Sequence, residues 1–375
     1  MAPLFPTQEI GSLPKPAWLT KAPARGHATP EEIKDAHHWG SVADVPGHDS
    51  LIKLLKAGKL QGQKGVLRDW AALYNLRYLE SAGLDYVYDG EARRVEMYEH
   101  PIKRTEGFTF LGLVKSFDYR YYRKAASTGK VAYKDPWHLE ELAYVQEHAR
   151  RAIKVPITGP YTLADWSFNE YYLKKLEGTG TSLKERKALA KQELAYDLAK
   201  DAVRPNIQAL VKAGADFIQI DEPAAATQPE ESELFVETLN RAMDGIDCKF
   251  SVHICFSDYR RLFPQLLEMK KCSQWVWEFA NRDKEGVDGY TALDLFREYN
   301  DGREIGLGVS DVHVDEVESP ELIADRIRRA AKRLGDPSRL YVNPDCGLRT
   351  RSFDIAYEKL VNIVKGAEIV RTEFT

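Results

Sequence analysis

Eight short apolar runs recur along the chain with helical segments between them. They are "QEIGSLP" at 8–14, "LDYVYDGE" at 84–91, "KVPITGP" at 154–160, "FIQIDEP" at 217–223, "KFSVHICF" at 249–256, "QWVWEFA" at 274–280, "EIGLGVSD" at 304–311 and "LYVNPDCG" at 340–347. The segments between them are amphipathic, as in "LRDWAALYNLRYLESAG", "PEESELFVETLNRAMDG" and "SPELIADRIRRAAKRLG", the last opening on Ser319-Pro320 and stopping at Gly335 in the manner of a capped helix. Strand-helix alternation predicts an α/β fold with a parallel sheet, and a count of eight favours a closed (β/α)8 barrel over an open doubly wound sheet.

Two segments depart from the repeat. Residues 13–66, rich in Pro, Gly, His and Lys, are expected to wrap the barrel entrance as loop and short helix. Residues 101–135, with "FTFLGLVKSFDYRYYRKA", read as a hairpin inserted between the second and third strands. With no low-complexity tract and no finer repeat, residues 1–375 are expected to form one elaborated domain.

Composition excludes several classes. A net charge of −4, from 53 basic and 57 acidic residues mixed along the chain, leaves no footprint for nucleic acid or a membrane surface. The N-terminal stretch "MAPLFPTQEIGSLPKPAWLT" is broken by prolines, and neither a signal peptide nor a bilayer-spanning run is evident, so a cytoplasmic protein is expected. Four cysteines, at 248, 255, 272 and 346, are too few for a disulfide scaffold and are read as thiols.

In barrels of this kind the chemistry sits at the carboxyl ends of the strands. Here those ends carry Asp89 and Glu91, Asp221 and Glu222, His253 and Cys255, Glu278, Asp311 and His313, then Asp345 and Cys346. Taken singly each has an ordinary explanation: His313 could be a surface histidine, Glu278 could pair with Arg282, and Asp221-Glu222 could cap the next helix. Six strand ends bearing costly polar groups are hard to explain by packing, and as a set they predict a site. His253, Cys255, Glu278 and Cys346 together offer one imidazole, two thiolates and a carboxylate, a tetrahedral zinc set. Cys248, at the opposite end of its strand, and Cys272, after a helix, are expected to be packing residues.

The chain resembles the cobalamin-independent methionine synthases, specifically their C-terminal catalytic barrel. The resemblance runs through nearly the whole sequence in seven ordered motifs: "IGSLP" at 10–14, "DGEARRVEM" at 89–97, "ITGPYTLADWSF" at 157–168, "IQIDEPA" at 218–224, "VHICFSDY" at 252–259, "GVSDVHVDEVES" at 308–319 and "VNPDCGLRTR" at 342–351. It implies zinc held by His253, Cys255, Glu278 and Cys346. It also implies homocysteine gripped by the backbone of Ile10, Gly11 and Ser12 and by Glu91 and Asp221, His313 as proton donor, and Trp166 and Arg120 beside a pterin methyl donor.

Three departures lie on the donor side. Full-length members carry a second, N-terminal half for which this chain has no room, Thr227 stands where they place a folate-contacting glutamate, and "VDE" at 314–316 replaces their "SPR". The expected activity is therefore zinc-dependent methyl transfer to homocysteine from methylcobalamin or a corrinoid protein, with 5-methyltetrahydrofolate as the other candidate donor. Competing readings are a corrinoid-dependent methyltransferase acting on another small thiol, such as coenzyme M, and a non-catalytic zinc- or thiol-binding barrel.

Overall fold

The computed structural model describes residues 3–115 and 121–374, and in it eight parallel strand segments pair in a closed ring. Six of them form a continuous sheet in the order Leu340–Asn343, Glu304–Gly308, Cys272–Trp277, Lys249–Ile254, Phe217–Asp221 and Val155–Thr158. The third strand begins as Ala152–Ile153, which pairs with the second strand, Tyr86–Val87. Residues 7–8 close the ring: Thr7 bridges Val342 of the eighth strand and Gln8 bridges Tyr86 of the second, both in parallel. Backbone bonds seal this seam, from Gln8 N to Val342 O (2.9 Å), Val342 N to Pro6 O (2.8 Å) and Tyr86 N to Thr7 O (3.0 Å). The α/β barrel read from the alternation is thus the observed fold.

Side-chain alternation divides each strand between two environments. Ile218, Ile220, Val252, Ile254, Trp275 and Trp277 are wholly buried apolar residues, whereas their neighbours Gln219, Ser251 and Gln274 are buried and polar. The barrel interior is held by hydrogen bonds among such residues, with Gln8 Nε2 donating to Gln274 Oε1 (3.2 Å) and Asn343 Oδ1 (3.0 Å). A buried amide needs such partners to offset its desolvation.

Helices Lys64–Ala82, Leu139–His148, Ser232–Met243, Pro320–Leu334 and Phe353–Arg371 lie between or after the strands. Pro320–Leu334 starts with Ser319 Oγ accepting from Leu322 N and ends at Gly335 with φ 79°, the caps expected from sequence. The connection from the fifth to the sixth strand differs from the repeat. It contains only the short 3-10 turns Tyr259–Leu262 and Gln265–Glu268, because Pro264 lacks an N–H and disfavours helix at the residue before it.

Residues 13–66 are more helical than expected: they include Pro30–Val42 and His48–Ala57, and Trp39 packs edge-on or tilted against Tyr78, Phe353 and Tyr357 of the outer helices. The Thr29–Glu32 capping box explains the first of these helices. Residues 101–135 contain the antiparallel pair Thr105–Lys115 and Tyr121–Tyr133. Among the described residues no helix is long and apolar enough to cross a membrane.

Candidate metal and thiol site

His253 lies near the end of the fifth strand, Cys255 just past that end, and Cys346 just beyond the eighth. Their ligand atoms all lie within 4.8 Å of one another. His253 Nδ1 faces the Val276 carbonyl at 3.0 Å, so it carries the proton, and the buried Nε2 has no hydrogen-bond partner. That turns the second imidazole nitrogen toward the two sulfurs. The neighbouring Cys255 thiol, against burial and with help from His253, holds Cys346 well below the usual thiol range. Cys255 is raised correspondingly, first by Cys346 and then by burial. The pair therefore holds a thiolate at Cys346. Burial disfavours charge on His253, but Cys346 and Asp221 outweigh it and push its pKa up to about 9.

Glu278 sits at the end of the adjacent sixth strand, outside the 4.8 Å group. Its Oε1 accepts from Asn281 Nδ2 (2.8 Å), not from Arg282, while the buried Oε2 has no partner. Burial, then the Cys346 charge, raises its pKa. A converging thiolate and imidazole with a spare buried carboxylate oxygen nearby are the donors that a borderline divalent ion selects.

A cavity of about 120 Å³ opens on this cluster, and Ile10, Gly11, Ser12, Glu91 and Asp221 line it together with His253, Cys255 and Cys346. Each residue reaches the cavity for a local reason. Glu91 has φ 58°, and its N–H donates to Asp89 Oδ1 (2.8 Å), while Arg94 reaches its Oε1 at 3.2 Å. At Gly11 the backbone comes close to Glu91: a Cβ there would stand 3.2 Å from Glu91 Oε1, a tight contact that glycine avoids. Asp221 is buried, which pushes its pKa up to about 7, with His253 opposing and Glu91 adding to the rise. Neighbouring Glu222 points elsewhere: it accepts from the N–H groups of Tyr161 (3.0 Å) and Thr162 (2.7 Å) and from the Thr162 hydroxyl (2.6 Å). It thereby binds the start of helix Pro160–Asp165.

His313 and Trp166 do not line the cavity. His313 packs against Phe256, the residue after Cys255, with ring centroids 4.6 Å apart and the planes tilted by 47°, and its buried Nε2 is unpartnered. Trp166 joins Tyr122 of the hairpin and Tyr98 in an aromatic group, with centroids 5.5 and 6.3 Å from it. Arg120 lies outside the described residues. Cys272 opens the sixth strand as a buried thiol, and half-buried Cys248 precedes the fifth; neither belongs to the cluster.

Sequence reasoning missed part of the site. Met97, Pro223, Gly347 and Arg349 also line the cavity. Beneath it, fully buried Lys154 donates to the Glu9 carbonyl and to Gln219 Oε1 (2.6 Å), and Gln219 Nε2 donates to Ile10 O (2.5 Å) and Asp221 Oδ1 (2.7 Å). A lysine opening the otherwise apolar run "KVPITGP" was the available signal, since a buried lysine needs a built partner set.

Comparison with known proteins places the chain in a family. The family described as "Cobalamin-independent synthase, Catalytic domain" matches residues 71–369. The chain is 40% identical to the methionine synthase of Thermococcus kodakarensis over 374 residues, covering 99% of this chain and 95% of that one. The methionine synthase of Pyrococcus abyssi is 38% identical, with 99% and 94% covered. Among solved structures, a B12-independent methionine synthase from Shewanella sp. W3-18-1, in complex with selenomethionine, superposes with a TM-score of 0.74 at 26% identity, covering 99% of both chains.

Proposed function

The chain belongs to the cobalamin-independent methionine synthase family, and from that premise we propose that it methylates the sulfur of L-homocysteine to form L-methionine, with zinc held by His253, Cys255, Cys346 and Glu278. The observation that carries this reading is the meeting of a thiolate-imidazole ligand set and two carboxylates in one cavity. Zinc there supplies the positive charge that keeps a thiol sulfur deprotonated, and hence nucleophilic, at neutral pH.

The chain's own residues do the rest. Glu91 and Asp221 take the substrate ammonium, and the backbone of Ile10 to Ser12 holds its other end. The same two carboxylates repel a sulfonate, which disfavours a coenzyme M-like thiol. With a pterin donor, whose leaving group is an amine, His313, with Nε2 free, would give the proton; a corrinoid leaves as cobalt and asks none of it.

For the donor we favour a methylated corrinoid. Thr227, where a folate-contacting glutamate would stand, offers no charge, and its hydroxyl already donates to Ala224 O at 2.9 Å. Phe256, which follows Cys255, and Val314, which follows His313, are exposed apolar side chains that a broad ring face could cover. A reduced pterin such as 5-methyltetrahydrofolate is the second reading, favoured by the family's description and by the aromatic group around Trp166.

Methionine formation from homocysteine, with metal analysis, tests the proposal. Cys255→Ser or Cys346→Ser should remove most zinc and nearly all activity, whereas Cys248→Ala and Cys272→Ala should keep both. Equal loss in all four variants would overturn the ligand assignment.

A further inference from the structure

A second cluster of ligand-bearing side chains lies away from the thiol site, in the helical pair that follows the first strand. His37, on helix Pro30–Val42, and His48 and Asp49, in the first turn of helix His48–Ala57, have ligand atoms all within 4.8 Å of one another. His48 is seated by its surroundings. Its ring lies so close to Gly40 that a Cβ there would stand 2.7 Å from His48 Cγ, so only glycine admits it. Its Nδ1 lies 3.0 Å from the Val45 carbonyl, which can only accept, so Nδ1 carries the proton and Nε2 presents a bare lone pair. That nitrogen stands 3.9 Å from Asp49 Oδ1, and the His37 ring stands edge to face with His48, centroids 5.6 Å apart at 80°.

We propose that His37, His48 and Asp49 bind a borderline divalent ion such as zinc or nickel, which clamps helix Pro30–Val42 to helix His48–Ala57. Two imidazoles and one carboxylate match that class of ion, and three protein ligands leave a position for water. The ligands come from both sides of the connection at residues 43–47, so an ion bound there links the two helices directly. The folded pair presents this set and an unfolded chain does not, so binding must also stabilise the fold. This inference does not rest on the methyl-transfer reading.

The test uses the full chain, stripped of metal, with Cys255→Ser and Cys346→Ser to remove the first ligand set. Calorimetric titration with zinc, and separately with nickel, should show one saturable equivalent, and zinc should raise the midpoint of thermal unfolding. Adding His37→Gln, or separately Asp49→Asn, should weaken binding by about tenfold or more and abolish the thermal shift. Both substitutions are at exposed side chains, so a native circular dichroism spectrum is expected throughout. His37→Gln in the otherwise unaltered protein should leave its methyl-transfer rate unchanged. Absence of a saturable equivalent, or binding indifferent to both substitutions, would overturn the proposal.

Discussion

Asp89, Asp311 and Asp345 stand at strand ends beside the site, yet each acts on backbone. Asp89 accepts from Glu91 N and Asp311 from His313 N, both at 2.8 Å, and Asp345 accepts from the N–H groups of Phe279, Ala280 and Asn281, just beyond Glu278. In each case a carboxylate fixes the turn that presents a neighbouring side chain. Lys154 works one step further back. It has only protons to give, so it compels Gln219 to turn its oxygen toward the ammonium and its NH2 toward Ile10 and Asp221. Lys154→Met should free that amide and raise the KM for homocysteine about tenfold, the worth of a hydrogen bond to a charged group, with metal content unchanged. An unchanged KM would mean that the amide orientation has another source. Asp221 adds a pH dependence. A carboxyl raised to about 7 is charged only above that pH, so kcat/KM for homocysteine should fall as pH drops through about 7, approaching tenfold per unit. Asp221→Asn should remove that inflection; its persistence would assign it to another group.

At the scale of elements, the strands were legible because each apolar run is short, bounded by turn residues and followed by an amphipathic helix. The candidate thiol site was legible for a related reason: its residues fall at the carboxyl ends of those runs, and six such ends bearing costly polar groups are hard to explain by packing although each one singly is not. What was not legible depended on partners distant in sequence. Nothing local distinguishes Asp221, facing the cavity, from Glu222, which binds the helix after the third strand 60 residues or so earlier. Likewise, no local pattern shows that Lys154 and Gln219 meet beneath the first strand. The Glu222 contact has a measurable weight. Glu222→Ala would leave the buried N–H groups of Tyr161 and Thr162 without their acceptor, at about 1–3 kcal/mol each. Denaturant unfolding should show a loss of at least about 2 kcal/mol. Unaltered stability would mean that these donors find other acceptors.

At the scale of the whole molecule, closure and chemistry share one seam. Residues 7–8 complete the ring between the eighth and second strands, and the chain then runs directly into Ile10, Gly11 and Ser12 at the cavity, with Cys346 on one flank and Glu91 on the other. The barrel cannot close without delivering that segment to the site. The two candidate donors ask different things of the residues around the cavity. A pterin donor leaves as an amine that takes a proton, which is the work suited to His313, but at Thr227 its ring N–H groups meet no charged acceptor. A corrinoid donor leaves as cobalt and takes no proton, and it approaches with a broad apolar face; Phe256, next to Cys255, and Val314, next to His313, are exposed apolar side chains. The expected result is faster methionine formation from methylcobalamin or a methylated corrinoid protein than from 5-methyltetrahydrofolate, each at saturating homocysteine. His313→Asn sharpens the comparison: it should keep its zinc, lower whatever turnover the pterin supports, and alter corrinoid-supported turnover far less. Faster turnover with methylfolate, abolished in His313→Asn, together with none from methylcobalamin, would make the donor a pterin and assign the Trp166, Tyr122 and Tyr98 group to holding its ring.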